Sequence, residues 1–239
     1  MNVLVNGTSI SRGNESWPYY LQRLVKQDFN LVNLAQAGSG NTYIHESTVA
    51  EVSERTYDLV ILQWTYVDRF DFRTKDIGKF SDTEYTSLYQ SAQNDWPEKV
   101  IHPTNDQDRV QKDWVFGCGY INERQNNSIG QVLKEYYNVT GPSEHLFSSL
   151  IKIISLQNTL RALNIPYLFM EYRPMTRFDR FKKLYDLIDW SCFYSGQHLF
   201  DIAKQRNALD DTLHPSAECQ KIYAHVLYKD LIVRKYIND

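Results

Sequence analysis

The chain has 239 residues, 42% of them apolar and 23% charged, and its 26 basic and 29 acidic side chains leave a net charge of −3. That length suits one sizeable α/β domain, here with a large insertion, and the charge balance gives no electrostatic reason for a nucleic-acid partner. No stretch approaches the ~20 apolar residues that span a membrane, and the opening Val3-Leu4-Val5 lacks the basic and cleavable parts of an export signal, so a cytoplasmic protein is expected.

Asn2 to Asn6 is a short β-branched run ending at Gly7, which predicts a buried strand followed by a turn that carries Ser9. Trp17, Tyr20, Leu21, Leu24 and Val25 then recur at helical spacing, with Pro18 suited to a first turn. A second strand is predicted over Asn30 to Leu34 and a second helix over Thr42 to Arg55, after a glycine-bearing loop. Asp58 to Leu62 reads as a third strand, apolar throughout as a strand covered on both faces should be. Strands alternating with helices in this way predict a parallel sheet.

From about residue 70 to about 145 the periodicity gives way to a polar, aromatic-rich stretch, read as an inserted cap of several short helices. Regular order resumes with a helix over Leu146 to Leu163, a fourth strand over Tyr167 to Met170, a partly helical segment from Arg177 to Leu209, and a terminal helix over Ala217 to Val233. Cys118, Cys192 and Cys219 are odd in number and lack metal-ligand spacing, which fits packing thiols in a reducing compartment. His45, His102, His145, His198 and His225 are scattered without ligand spacing, so neither a metal nor a cofactor is expected. The two Asn-x-Ser/Thr matches, at Asn126 and Asn138, are read as chance.

Two short segments carry chemistry. A serine hydroxyl becomes a nucleophile when an imidazole takes its proton and a carboxylate holds that imidazole's tautomer. Ser9 follows the first strand, and Asp211-Thr212-Leu213-His214-Pro215 places a carboxylate three residues before an imidazole, with Pro215 expected to open the following helix. Ser9, His214 and Asp211 therefore fit a triad, with Asp210 competing for the carboxylate role and Ser39 a rival nucleophile without the G-x-S-x-G elbow. An open α/β sheet binds ligands beyond the carboxyl ends of its strands, where the turn after a first strand lies.

These segments resemble the SGNH or GDSL hydrolases, whose Ser, Gly, Asn and His lie in separate blocks. Gly7-Thr8-Ser9 is similar to the first block, Asn33-Leu34-Ala35-Gln36-Ala37-Gly38-Ser39-Gly40-Asn41 to the second, and Asp211 with His214-Pro215 to the last. The resemblance implies a flavodoxin-like three-layer α/β/α sandwich around a parallel sheet, with oxyanion donors from the N–H of Ser9 and of Gly40 or Gly38. Gly40 is the preferred match. Thr8 stands where the family has Asp beside the nucleophile. The third block, usually Gly-x-Asn-Asp, reads Gln63-Trp64-Thr65-Tyr66-Val67-Asp68-Arg69, and Thr65 occupies the place of the Asn whose amide completes the oxyanion hole. Losing such a donor typically costs ~3 kcal/mol, roughly a hundredfold in rate, unless Asn41 or Gln63 substitutes for it. The Trp-Thr-x-x-x-Arg variant is similar to a subgroup met in bacteria and phages. In that light Trp64 and Arg69 line an acyl or sugar pocket, or else Trp64 packs under the cap and Arg69 pairs with Asp68 or Asp71.

The resemblance thus implies a serine esterase or carbohydrate O-deacetylase acting on a small-molecule or glycan ester. The same residues serve acyl transfer. Its alternative is a non-catalytic binding or virion component that retains the fold while its third block has drifted.

Overall fold

The computed structural model describes residues 1–25, 28–67, 69–73, 114–117, 135–175, 177–211 and 213–238. Most of the expected cap, with Cys118, His102 and the Asn126 sequon, lies outside the described residues, as do Asp68 and Thr212.

Four strands, β1 (Asn2–Asn6), β2 (Asn30–Asn33), β3 (Leu59–Trp64) and β6 (Tyr167–Glu171), form one parallel sheet in the order β2-β1-β3-β6. Two more, β4 (Phe70–Arg73) and β5 (Trp114–Gly117), pair in a two-stranded sheet. The helices are α1 (Trp17–Leu24), α2 (Asn41–Glu54), α3 (Pro142–Ala162), α4 (Lys182–Tyr185), α5 (Leu199–Gln205) and α6 (Ala217–Val233), and residues 135–139 are also helical. The chain divides into two compact units, Met1–Asp71 with Phe116–Asp239, and Phe72–Val115.

Alternation along the strands sends side chains to opposite faces, and both faces are covered. Val3, Val5, Leu59, Ile61, Leu168 and Met170 join Trp17 and Leu21 of α1 and Tyr223, Ala224, Leu227 and Leu231 of α6 in one apolar cluster. Each fully buried Val, Leu, Ile or Met side chain among them contributes about 1.5–3 kcal/mol. By the same alternation Leu4, Val60, Leu62 and Phe169 point to the other face, where α2 packs against β3 and α3 against α2. This is the three-layer α/β/α sandwich that the resemblance implied.

Several boundaries differ from the sequence reading, three of them by two residues or more. β3 runs on to Trp64 because Gln63 and Trp64 are buried and paired with Met170 and Glu171. α3 begins at Pro142, four residues early, with proline in its first turn and Glu144 at its positive end. Pro215 lies outside α6: it bridges to Leu209, and Ser216 caps the helix by accepting from the Cys219 N–H.

After β1 the chain builds β2 on one side and β3 on the other, so the winding reverses at β1. The crevice of a doubly wound sheet lies at such a reversal, beyond the carboxyl ends of the strands. Ser9, Thr65 and Tyr172 all follow those ends.

Candidate active site

Ser9 opens a single 3-10 turn, Ser9–Ser11, and is 9% exposed. Thr8 caps that turn, its hydroxyl accepting from the Ile10 N–H at 3.4 Å, so a hydroxyl takes over the capping that a carboxylate would give there. The turn is held from several elements. The Ser11 hydroxyl donates to Gln63 Oε1 at 2.8 Å and accepts from Trp17 Nε1 at 3.1 Å, while the Ser11 carbonyl accepts from Asn33 Nδ2 at 2.7 Å. Gln220 of α6 donates to the Ile10 carbonyl and accepts from the Trp17 N–H. Gly7 is needed for this closeness, since a Cβ there would lie 2.6 Å from the Ser11 hydroxyl oxygen. A hydroxyl pinned in this way is positioned before any ligand arrives.

The Ser9 hydroxyl lies 2.7 Å from His214 Nε2, although the two residues are 205 apart in the chain. His214 sits in a tight turn in which the Asp210 N–H donates to the His214 carbonyl at 3.0 Å and the Leu213 N–H to the Asp210 carbonyl at 2.9 Å. Leu213 adopts φ +62°, a left-handed conformation that a bulky side chain rarely takes and that costs of order 1–3 kcal/mol. The buried Tyr172 hydroxyl helps to hold it there by donating to the Leu213 carbonyl at 2.6 Å.

That turn places Asp210, and not the expected Asp211, near the imidazole. Asp210 Oδ1 accepts from the His214 N–H at 2.8 Å and lies 3.8 Å from Nδ1, an ion-pair distance and not a hydrogen bond. Asp211 is exposed and, among the described residues, makes no contact of this kind with His214. The turn with left-handed Leu213 brings the Asp210 carboxylate to the Nδ1 side of the ring. With the ring proton on Nδ1, facing the Asp210 carboxylate, Nε2 can accept the Ser9 proton.

The oxyanion candidates sort differently from the sequence preference. The Gly40 N–H is occupied, donating to Asp71 Oδ2 at 2.9 Å, so Gly40 is not the donor expected. It has a packing role: a Cβ there would lie 2.8 Å from Asp71 Oδ1 and 2.9 Å from the Arg69 carbonyl. Gly38, at φ +79°, and Ser9 have backbone N–H groups that make no hydrogen bond to a described residue. Asn41 is likewise occupied. Its Oδ1 accepts from the Thr65 N–H at 3.0 Å, and its Nδ2 donates to the Thr65 carbonyl and to the Ser149 hydroxyl. Thr65 is therefore anchored through its backbone, and its buried hydroxyl has no partner among the described residues. The buried Gln63 amide holds Ser11 through Oε1, while its Nε2 has no partner among them. Ser39 is a poor nucleophile candidate, because its buried hydroxyl has its one proton held between the Gly7 and Gln36 carbonyls, each 2.9 Å away.

Trp64 is fully buried in the core, edge-on to Phe169 with ring centroids 5.5 Å apart, so it lines no pocket. Arg69 reaches back to the second-block loop, where its Nη1 donates to the Ser39 carbonyl at 3.0 Å. The expected pairing with Asp71 is not made. Asp71, 2% exposed, instead accepts from the Gly40 and Tyr43 N–H groups at the start of α2, at 2.9 and 2.8 Å. Burial pushes its pKa above the usual carboxylate value, against the opposing pull of those N–H groups, the Thr42 hydroxyl and the Lys152 charge. Beside it lies a polar cavity of about 240 Å³ whose lining includes Asp71, His145, Ser149 and Lys152. Among the described residues no group of three or more His, Cys, Asp or Glu could hold a metal ion, and no helix is long and apolar enough to cross a membrane.

Sequence reasoning named Asp71 only as a partner for Arg69, and it missed Tyr172 and Arg173. None of them lies in a motif, and each matters through a partner distant in the chain. The arrangement as a whole offers a positioned hydroxyl, a base able to accept its proton, a carboxylate 3.8 Å from that base's other nitrogen, and backbone N–H groups of Ser9 and Gly38 with no described partner.

No protein-family model matches the sequence, and neither does any protein of curated function. Among solved structures the chain is similar to the psychrotrophic esterase EstA from Pseudoalteromonas sp., in a form inhibited by monoethylphosphonate, with TM-score 0.53 and 14% identity over 100% of this chain and 99% of that one. It is similar to TesA with TM-score 0.51 and 12% identity, covering 97% of this chain and 98% of that one. A catalytic mutant of Axe2, an acetylxylan esterase from Geobacillus stearothermophilus, gives TM-score 0.50 and 12% identity over 96% and 93% of the two chains. At these identities the likeness establishes a shared fold.

Proposed function

We propose that this chain, which has the fold of the SGNH-type esterases, is a serine ester hydrolase. The observation that carries this reading is the 2.7 Å contact between the Ser9 hydroxyl and His214 Nε2 at the carboxyl edge of the sheet. Ser9 Oγ attacks the acyl carbonyl as its proton passes to Nε2. The tetrahedral oxyanion is met by the Ser9 and Gly38 N–H groups, and the alcohol departs with the proton from His214, leaving an acyl-serine. Water, deprotonated by the same imidazole, then releases the acid and restores Ser9. Acetylated carbohydrate is the favoured substrate class, because Axe2, which shares the fold, is an acetylxylan esterase. Hydrolysis of 4-nitrophenyl acetate and of acetylated xylo-oligosaccharide by wild type, with loss of both in His214→Ala, is the supporting result. No hydrolysis by folded wild type would oppose it.

Asp210 is assigned the carboxylate role. Asp210→Asn is expected to lower kcat by ~100-fold or more while Asp211→Asn stays within about threefold, read from steady-state kinetics on one ester. The reverse order would return the role to Asp211, as the resemblance implies.

Gln63 is proposed as the third oxyanion donor in place of the missing Asn, because its buried Nε2 lacks a described partner beside the Ser9 turn. Gln63→Leu is expected to lower kcat by ~10–100-fold with KM little changed. A kcat equal to wild type would remove Gln63 from the mechanism.

A further inference from the structure

We infer that Arg69 and Arg173, gathered on the ring of Tyr66 beside the Ser9–His214 pair, bind a carboxylate of the substrate, so that the ester cleaved sits on an acidic molecule such as an O-acetylated sugar acid. This rests on the ester-hydrolase reading and adds to it the charge of the substrate.

The guanidinium carbon of Arg173 lies 4.0 Å from the centre of the Tyr66 ring, and that of Arg69 lies 5.7 Å from the same centre. Two cations on one ring repel each other, and the ring's negative face offsets only part of that repulsion. Among the described residues neither guanidinium has a carboxylate within ion-pair distance, whereas Arg55, Arg161 and Arg234 do. Asp71, two residues after Arg69, is taken up by the start of α2, and Asp210 by His214.

Their placement ties the pair to the reaction centre. Arg69 holds the Ser39 carbonyl, next to Gly38, through Nη1 alone, which leaves its other guanidinium nitrogens for a ligand. Arg173 is exposed and follows β6 directly after Tyr172. The Tyr66 ring stands edge-on to the Tyr172 ring at 5.6 Å, and the Tyr172 hydroxyl bonds the Leu213 carbonyl, one residue before His214. The charges acting on that hydroxyl include Arg69, Arg173 and Asp210 together. A pair of planar forks supported on an aromatic ring suits a carboxylate, which each fork can grip through two parallel N–H bonds.

The test compares O-acetylated galacturonic acid with its primary amide, a neutral counterpart, alongside calorimetric titration with galacturonic acid itself. Wild type should cleave the acid with a kcat/KM about tenfold or more above the amide, and Arg173→Gln should bring that ratio close to one. Galacturonic acid should bind wild type and Ser9→Ala alike and bind Arg173→Gln more weakly. Equal kcat/KM for acid and amide in wild type would overturn the subsite and leave the ester hydrolase standing. If neither compound is cleaved, hydrolysis of 4-nitrophenyl acetate decides the hydrolase reading and the titration alone decides the subsite. Weaker binding to Arg173→Gln would then uphold the subsite, and equal or absent binding to wild type and Arg173→Gln would overturn it.

Discussion

Ser9→Ala is expected to lower kcat on any ester the wild type cleaves by ~10⁴-fold or more while leaving the fold intact. The hydroxyl has one described partner, His214 Nε2, and the turn around it is held by Ser11, Asn33, Gln63 and Gln220. Unfolding free energy should therefore change by no more than about 1 kcal/mol, the net worth of one hydrogen bond. Steady-state kinetics and denaturant titration on the same preparation check both halves. A large loss of stability would mean that Ser9 holds the turn, and a rate close to wild type would mean that it is not the nucleophile.

Asp71→Ala is expected to be the most destabilising single change in the vicinity of the site, at about 2–5 kcal/mol by denaturant unfolding. The substitution strips the acceptor from two buried donors, the Gly40 and Tyr43 N–H groups, at the positive end of α2. Asn41 and Gly40 begin that helix, so the anchor of Thr65 and the second-block loop should loosen with it. The pH dependence has a definite sign. Burial raises the folded-state pKa above the ordinary carboxylate value, so the folded state binds the proton more tightly than the unfolded chain. The contribution of Asp71 is then most favourable below that ordinary value, and part of it is lost as the pH rises toward the raised folded value. Asp71→Asn, which cannot ionise, should lack this component, so the wild-type advantage over Asp71→Asn should shrink as the pH rises through that window. An advantage independent of pH would contradict the assignment.

Much of the architecture was legible because burial writes itself as periodicity. The unbroken apolar run at Leu59–Leu62 belongs to a strand covered on both faces, and the terminal helix over Ala217–Val233 stands where its apolar spacing put it. Ser9 and His214 were legible as residue types in a recognisable setting, and the fold brings them together. The choices between near neighbours were not. Asp210 or Asp211 depends on the left-handed backbone of Leu213, held by a tyrosine 41 residues away. Gly38 or Gly40 depends on a carboxylate 31 residues downstream that occupies the Gly40 N–H. Trp64, in a motif-like segment, proved to be core because β3 extends two residues past its last aliphatic side chain. Arg173 carries no local signal at all and gains its meaning from Tyr66, across the carboxyl edge of the sheet.

The central claim is that Ser9 is an activated nucleophile, and the most direct measurement is intact-protein mass after incubation with a fluorophosphonate, on wild type, Ser9→Ala and His214→Ala. The account predicts a single adduct on wild type, mapping to Ser9, and none on either variant. Folded wild type that stays unmodified would contradict it and would favour a binding component that keeps the fold without the chemistry.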